Sequence, residues 1–164
     1  MLLCGILIIM KLLFVFTGQT SDKSLEGIMA DYAGRIKHYS NVEVKELKTR
    51  NEKNESIQSI KEREQIEQMK RVDEKDFLIL LDENGRQFSS VEFAREIEKL
   101  PISSNKRIIF MTGGAYGFGE EIIKRANMKI SFSKLTFTHQ LIRVLLLEQV
   151  YRAFTIIRNQ KYHH

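Results

Sequence analysis

Residues 107–121 read RIIFMTGGAYGFGEE, an apolar run closed by a glycine pair, followed by two further glycines. The run from Arg107 to Thr112 has the length and character of a strand buried on both faces. Gly113 and Gly114 end it, and Gly117 and Gly119 lead into a helix expected over residues 119–126. Glycines in such a turn permit positive φ and let backbone amides approach a ligand closely. They serve a tight structural turn equally well. No Gly-Lys-Ser/Thr follows, so the turn is not a P-loop. It follows a late strand and lacks an acid about 20 residues on at a strand end, so it is a poor dinucleotide fingerprint.

The rest of the chain alternates in the same way. Residues 11–17, KLLFVFT, and 77–81, FLILL, read as strands, the second continuous enough to be central. Residues 42–47 alternate apolar and charged, as a half-buried strand does. Residues 22–38 carry Leu25, Ile28, Met29, Tyr32, Ala33 and Ile36 at helical spacing. Residues 51–72 are highly charged and read as a surface helix, with Ile57, Ile60, Ile66 and Met69 as a sparse apolar stripe. Asp82-Glu83-Asn84-Gly85 reads as a turn, Ser89-Ser90-Val91-Glu92 as a capping box for a helix to about Leu100, and Pro101 with residues 103–105 as a break. A short segment over residues 129–132 precedes a long helix over residues 138–158. Strands alternating with helices in 164 residues predict one compact α/β domain, a mainly parallel sheet flanked by helices. Ligands of such sheets bind outside the carboxyl ends of the strands. Loops starting at Leu81, Gly113 and Phe132 would share that edge and form a small-molecule cleft.

The C-terminal segment reads SFSKLTFTHQLIRVLLLEQVYRAFTIIRNQKYHH over residues 131–164. Its opening sets hydroxyls between apolar side chains. That suits an apolar wall and main-chain hydrogen bonds for an adenine, and equally an ordinary helix lead-in. On the long helix Ile142, Leu146, Val150, Ala153, Phe154 and Ile157 share one broad sector, while Glu148, Arg152, Thr155 and Asn159 form a polar stripe. Glu148 precedes Arg152 by four, the favourable order for an ion pair. So apolar a helix must be buried, within its own protomer or partly against a second copy. Arg143 falls inside the apolar sector, which predicts a partnered or functional arginine.

Net charge is +5, yet residues 123–164 hold eight Lys and Arg against the single acid Glu148, leaving the remainder at −2. Clustered positive charge favours an anionic partner, most simply nucleic acid, or is a solvated basic face. Cys4 is the only cysteine, so no intrachain disulfide or cysteine metal cluster can form, and the four histidines lack zinc-site spacing. A metal-free protein of a reducing compartment is the natural reading. The opening MLLCGILIIM is too short to span a membrane and lacks a basic n-region. Met10 is the preferred start, with MKLLFVFTG opening the first strand.

Four motifs in order, LLDENGRQFSS, IIFMTGGAYGFGEE, ISFSKLTFTHQLIRVLLLEQVYRAF and the terminal YHH, closely resemble the bacterial ribosomal large-subunit methyltransferase H family. That family belongs to the SPOUT superfamily of S-adenosylmethionine-dependent RNA methyltransferases. The resemblance spans residues 10–164, a single SPOUT domain, and leaves residues 1–9 as an extension. It implies a C-terminal trefoil knot and a cytoplasmic homodimer that needs neither metal nor membrane. The implied reaction is N3-methylation of a pseudouridine in 23S ribosomal RNA on the assembled ribosome. It further implies that the cofactor is gripped by Leu81, by Gly113, and by Phe132, Ser133, Lys134, Leu135, Thr136 and Phe137. Ala115-Tyr116 departs from the proline, asparagine or similar residue common after the glycine pair.

An imide nitrogen must lose its proton near the transition state, which calls for a base and for cationic stabilisation of the flanking carbonyls. His163 is the candidate base, Arg152 the charge stabiliser, Glu148 its orienting partner, and Tyr162 a stacking platform for the target base. The alternative is a non-catalytic ribosome- or RNA-binding module that retains a cofactor-like pocket. A nicotinamide-dependent oxidoreductase is disfavoured by the missing ribose-binding acid.

Overall fold

The computed structural model describes residues 10–50, 54–100 and 107–162. The 1–9 extension, the proposed break at residues 101–106, and His163 lie outside the described residues. Five strands form the sheet: β1 (Lys11–Thr17), β2 (Asn41–Leu47), β3 (Phe77–Gln87), β4 (Arg107–Thr112) and β5 (Met128–Ser131). Their order is β2-β1-β4-β3-β5, and every pairing is parallel. A parallel sheet is stable only with both faces covered. On one face Leu12, Phe14, Phe16, Ile108 and Phe110 lie under α1 (Lys23–Ile36), α3 (Ser90–Lys99) and α5 (Leu141–Ile157). On the other, Leu13, Val15, Leu80, Ile109 and Met111 meet Phe118 and Ile122 at α4 (Glu120–Arg125), beside α2 (Ile57–Met69).

β1 and β4 occupy the expected residues, and α3 begins with the expected capping box between Ser89 and Glu92. Two expectations are corrected. Residues 82–85 do not end β3. The strand runs on to Gln87 with an irregularity between Leu81 and Arg86, both of which pair with Ile130 of β5. Asn84 N–H donates to the Asp82 carboxylate at 2.8 Å, so the sequence keeps its turn chemistry inside a strand. The cause is β5, which crosses so close that a Cβ on Gly85 would stand 2.6 Å from Ile130 N. The second correction concerns α2. Its apolar stripe faces out, with Ile57, Ile66 and Met69 exposed, while Glu64 and Gln68 are buried.

α5 packs against α1 and α3, and of its residues only Leu141 is exposed. Leu146, Val150, Ala153 and Phe154 are buried as the periodicity requires, and Thr155, expected on the polar stripe, is buried with its hydroxyl donating to Arg152 O at 2.7 Å. Arg143 is fully buried, with both terminal nitrogens hydrogen-bonded and Nε without a partner. It donates to Thr17 O at 2.8 Å, Thr20 Oγ1 at 2.8 Å and Glu46 Oε1 at 3.4 Å. Gln140 Oε1, just before α5, accepts from the N–H groups of Ser21 at 3.0 Å and Asp22 at 3.2 Å. These bonds fasten the start of α5 to the β1–α1 loop. At the opposite edge of the sheet, Arg107 grips Asp76 through Nε–Oδ1 at 3.0 Å and Nη2–Oδ2 at 2.6 Å. Burial pushes the Asp76 carboxyl up, but the Arg107 guanidinium and the Asp73 N–H outweigh it and hold the group below its ordinary value.

Arg143→Met, which keeps the stem and removes the donors, is expected to lower unfolding stability in urea by about 2–3 kcal/mol. Asp76→Asn is expected to cost about 2 kcal/mol near neutrality. Because the folded value of Asp76 lies below the ordinary 3.8, its contribution is complete above that value and is lost as pH falls through the folded value. Denaturation measured against pH should show the two proteins converging in acid; a constant gap would contradict the assignment.

Candidate active site

Leu81 at the irregularity within β3, Thr112 at the end of β4 and Ile130 near the end of β5 meet at one rim. A cleft of about 960 Å³ opens there, at the upper end of the range of small-molecule sites. One wall is the glycine turn. Gly117 sits at φ +78° and forms an isolated bridge with Gly114, with Gly117 N–H donating to Gly114 O at 3.2 Å. A Cβ on Gly113 would stand 3.0 Å from the Gly117 carbonyl carbon, so the turn closes on itself. The opposite wall is the loop after β5. Ser131 Oγ donates to Ser133 O at 2.9 Å, and Leu135 N–H donates to Ser133 Oγ at 2.9 Å, so the loop's own hydroxyls set its path. Phe132 is anchored edge-on against Phe93 of α3, with ring centroids 6.1 Å apart.

The cleft thus gathers Leu81, Gly113, Phe132, Ser133, Leu135, Thr136 and Phe137. Lys134 is exposed and lies outside the lining. Sequence reasoning missed Thr112, Ile130, His139 and Gln140, and Asp22 and Leu25 from the start of α1. Thr112 carried a usable signal, because the last residue of a strand before a glycine pair must sit at the rim. Its Oγ1 is buried without a hydrogen-bond partner at the cleft. The remaining lining acids are Asp82 and Glu83, against the single lysine Lys61.

A second cluster forms on the outer side of α5. Arg152 donates to Glu148 Oε1 through Nε at 3.0 Å and Nη2 at 2.5 Å. Tyr162 donates to the same oxygen at 3.2 Å, and its ring lies under the Arg152 guanidinium at 4.8 Å. Tyr162 also meets Tyr151 edge-on at 4.8 Å and its hydroxyl lies 3.2 Å from that of Tyr32. Burial, then the Tyr32 hydrogen bond and the Glu148 charge, push the Tyr162 phenol well above its ordinary value, so it stays protonated. The Glu148 hydrogen bond raises Arg152 further, which keeps it charged. The structure therefore brings together Glu148, Arg152 and Tyr162, but not with the cleft. Ile142 lines the cleft, and Arg152 is ten residues along the same helix, about 15 Å on.

Among the described residues no helix is long and apolar enough to cross a membrane, and no His, Cys, Asp and Glu cluster is placed to hold a metal. The family described as "Predicted SPOUT methyltransferase" matches residues 10–163. The ribosomal RNA large subunit methyltransferase H of Christiangramia forsetii is 46% identical over 159 residues, covering 94% of this chain and 99% of that protein. Its namesake in Geobacter sulfurreducens is 43% identical over 155 residues, covering 94% and 100%. In Bacteroides fragilis the figures are 38% over 156 residues, 94% and 99%. A solved structure of a probable methylase family protein from Haemophilus influenzae shares the fold, with a TM-score of 0.52 at 13% identity over 95% of this chain and 69% of that one. With a strand-end cleft in a parallel sheet and relatives matched along their whole length, the chain belongs to the SPOUT methyltransferase family and groups with its ribosomal RNA large subunit methyltransferase H members.

Proposed function

We propose that this protein is an S-adenosylmethionine-dependent methyltransferase that modifies N3 of a pseudouridine in 23S ribosomal RNA. It acts on the assembled ribosome in the cytoplasm, as a homodimer whose C-terminal segment is knotted. The observation that carries this reading is the strand-end cleft between the glycine turn and the loop of residues 132–137, in a chain of this family. The relatives' names supply the ribosomal substrate. The cleft's chemistry fits the cofactor: Thr112 Oγ1 lacks a partner, apolar side chains offer a wall for adenine, and Asp82 and Glu83 suit a cationic ligand. Leu81, Gly113 and residues 132–137 would hold it, Lys134 through its backbone since its side chain lies outside the cleft.

When bound, the cofactor supplies an electrophilic methyl group on a sulfonium centre. The chain's own task is orientation and proton removal. Arg152, kept charged and held by Glu148, stabilises negative charge on the carbonyls flanking N3. Tyr162 offers its ring to the base, and His163, next in sequence, accepts the N3 proton. Separation of the cleft from Arg152 by about 15 Å within one protomer favours a site completed by a second copy.

Labelled-methyl transfer to ribosomes lacking the modification should yield N3-methylpseudouridine by nucleoside mass spectrometry. Methyl on uridine, or no transfer, would overturn the reading. In the same assay His163→Ala should lower turnover about 10²–10⁴-fold with cofactor affinity unchanged. Arg152→Ala and Gly113→Val should each be nearly inactive as homodimers. Co-expressed, they should recover about one quarter of wild-type activity, since half the dimers hold one intact shared site. Folded proteins with no recovery would place cleft and arginine in the same protomer.

A further inference from the structure

α2 is a polar helix that buries its polar side chains. Gln68 is fully buried, with Nε2 donating to Thr17 Oγ1 at 2.9 Å. Glu64 is 8% exposed, and its Oε2 has no hydrogen-bond partner. Burial pushes its carboxyl up against the opposing pull of Arg63. A buried carboxylate oxygen without a partner is costly. Its neighbour here is the glycine turn. A Cβ on Gly114 would stand 2.5 Å from Glu64 Oε2 and 2.6 Å from Oε1. The next residue, Gln65, holds the other end of the turn. Its Oε1 accepts from the N–H groups of Glu121 at 2.8 Å and Ile122 at 3.4 Å, in the first turn of α4. A Cβ on Gly119 would stand 2.9 Å from Gln65 Cδ and 3.2 Å from its Cβ.

The backbone gives no other reason for these two glycines. Positive φ among the described glycines occurs at Gly18 and Gly117, and Gly119 has φ −77°. Gly114 and Gly119 thus have φ values open to alanine, and a methyl at either would have to displace the α2 side chain that lies against it, Glu64 or Gln65. Neither Glu64 nor Gln65 lines the cleft, whereas Gly114 and Phe118 do.

We propose that Glu64 and Gln65 are positioning residues for the cleft, two consecutive side chains of α2 that splint the turn from Gly114 to Gly119 from outside. The splint fixes the backbone wall against which the ligand lies. Its expression in S-adenosylmethionine affinity rests on the function proposed above; its mechanical part does not.

The test is a pair of double-mutant cycles on the full chain. S-adenosylmethionine affinity is measured by calorimetry, and exchange of the backbone amides of residues 113–119 by hydrogen–deuterium exchange. Gly114→Ala and Glu64→Ala should each weaken binding about ten-fold, and the double variant should bind better than Gly114→Ala alone. Glu64→Gln, which keeps the shape against Gly114, should bind as the wild type does. Gly119→Ala with Gln65→Ala forms the second cycle, with the same sign expected, and serves if a Glu64 variant fails to fold. Strictly additive losses in both cycles, or wild-type affinity in both Glu64→Ala and Gln65→Ala, would overturn the proposal. If the wild type does not bind S-adenosylmethionine, the functional reading fails and exchange decides the splint. Faster exchange of the turn in Glu64→Ala and Gln65→Ala supports it, and unchanged exchange refutes it.

Discussion

The docking of β5 on β3 is the constraint on which the remaining structure depends. β5 has four residues and cannot hold its place by length. It does so by pairing with β3 on both sides of an irregularity, Ile130 opposite Leu81 and again opposite Arg86. That approach needs a residue without a side chain, since a Cβ on Gly85 would enter the backbone of Ile130. Once β5 is seated, the loop that leaves it faces the glycine turn that leaves β4. The cleft is the gap between them. The same seating delivers the chain to α5, which closes the sheet's face.

Polar groups then fix what the apolar core leaves free. Hydrophobic burial holds the sheet between its helices, but it is nondirectional and cannot set a loop to within an ångström. Arg143 does that where β1 leads into α1, with bonds to Thr17 O at the end of β1, to Thr20 in the loop and to Glu46 of β2, and Gln140 adds two bonds to the loop. Arg125 does it for the loop before β3, donating to the carbonyls of Asp73 at 2.7 Å and Asp76 at 2.9 Å. A buried arginine is expensive to desolvate, so its use at Arg143 is explained by the number of directions it satisfies at once.

How much of this was legible in the sequence depended on local contrast. β1 and β4 are continuous apolar runs with polar or glycine boundaries, and their ends were readable to the residue. The capping box of α3 is a four-residue pattern with a direct physical meaning. α2 defeated the same reasoning. Its isoleucines are too few to define a face, and the buried face is carried by Glu64 and Gln68, an i, i+4 pair whose neighbours Gly114 and Thr17 lie far off in sequence. Residues 82–85 carry genuine turn chemistry, and only a strand arriving from residue 128 makes them part of a sheet. In the site, Gly113 and the loop from Phe132 were legible because each follows a strand, and Leu81 because it closes the continuous apolar run of β3. Asp22 and Gln140 were not, because their place at the cleft comes from the packing of α5 against the start of α1.

The one helix that joins the cleft to the Glu148–Tyr162 cluster also keeps them apart. α5 carries Ile142 at the cleft and Arg152 in the Glu148–Tyr162 cluster, and an α-helix cannot shorten. Its ends are secured independently, by Arg143 and Gln140 at the start and by the tyrosines around Tyr162 at the finish. A hinge within it would break backbone hydrogen bonds in a segment whose Leu146, Leu147 and Val150 are fully buried. Bending the protomer is therefore a costly way to bring Arg152 to a ligand in the cleft. On the proposed reading a second copy would supply the same arginine at the cost of an interface, and the outer side of α5, where Arg152 and Arg35 of α1 lie over tyrosine rings, is chemically suited to make one. On the proposed reading, dimerisation is then part of the catalytic geometry, and a monomer would hold a cofactor cleft with no charge stabiliser in reach.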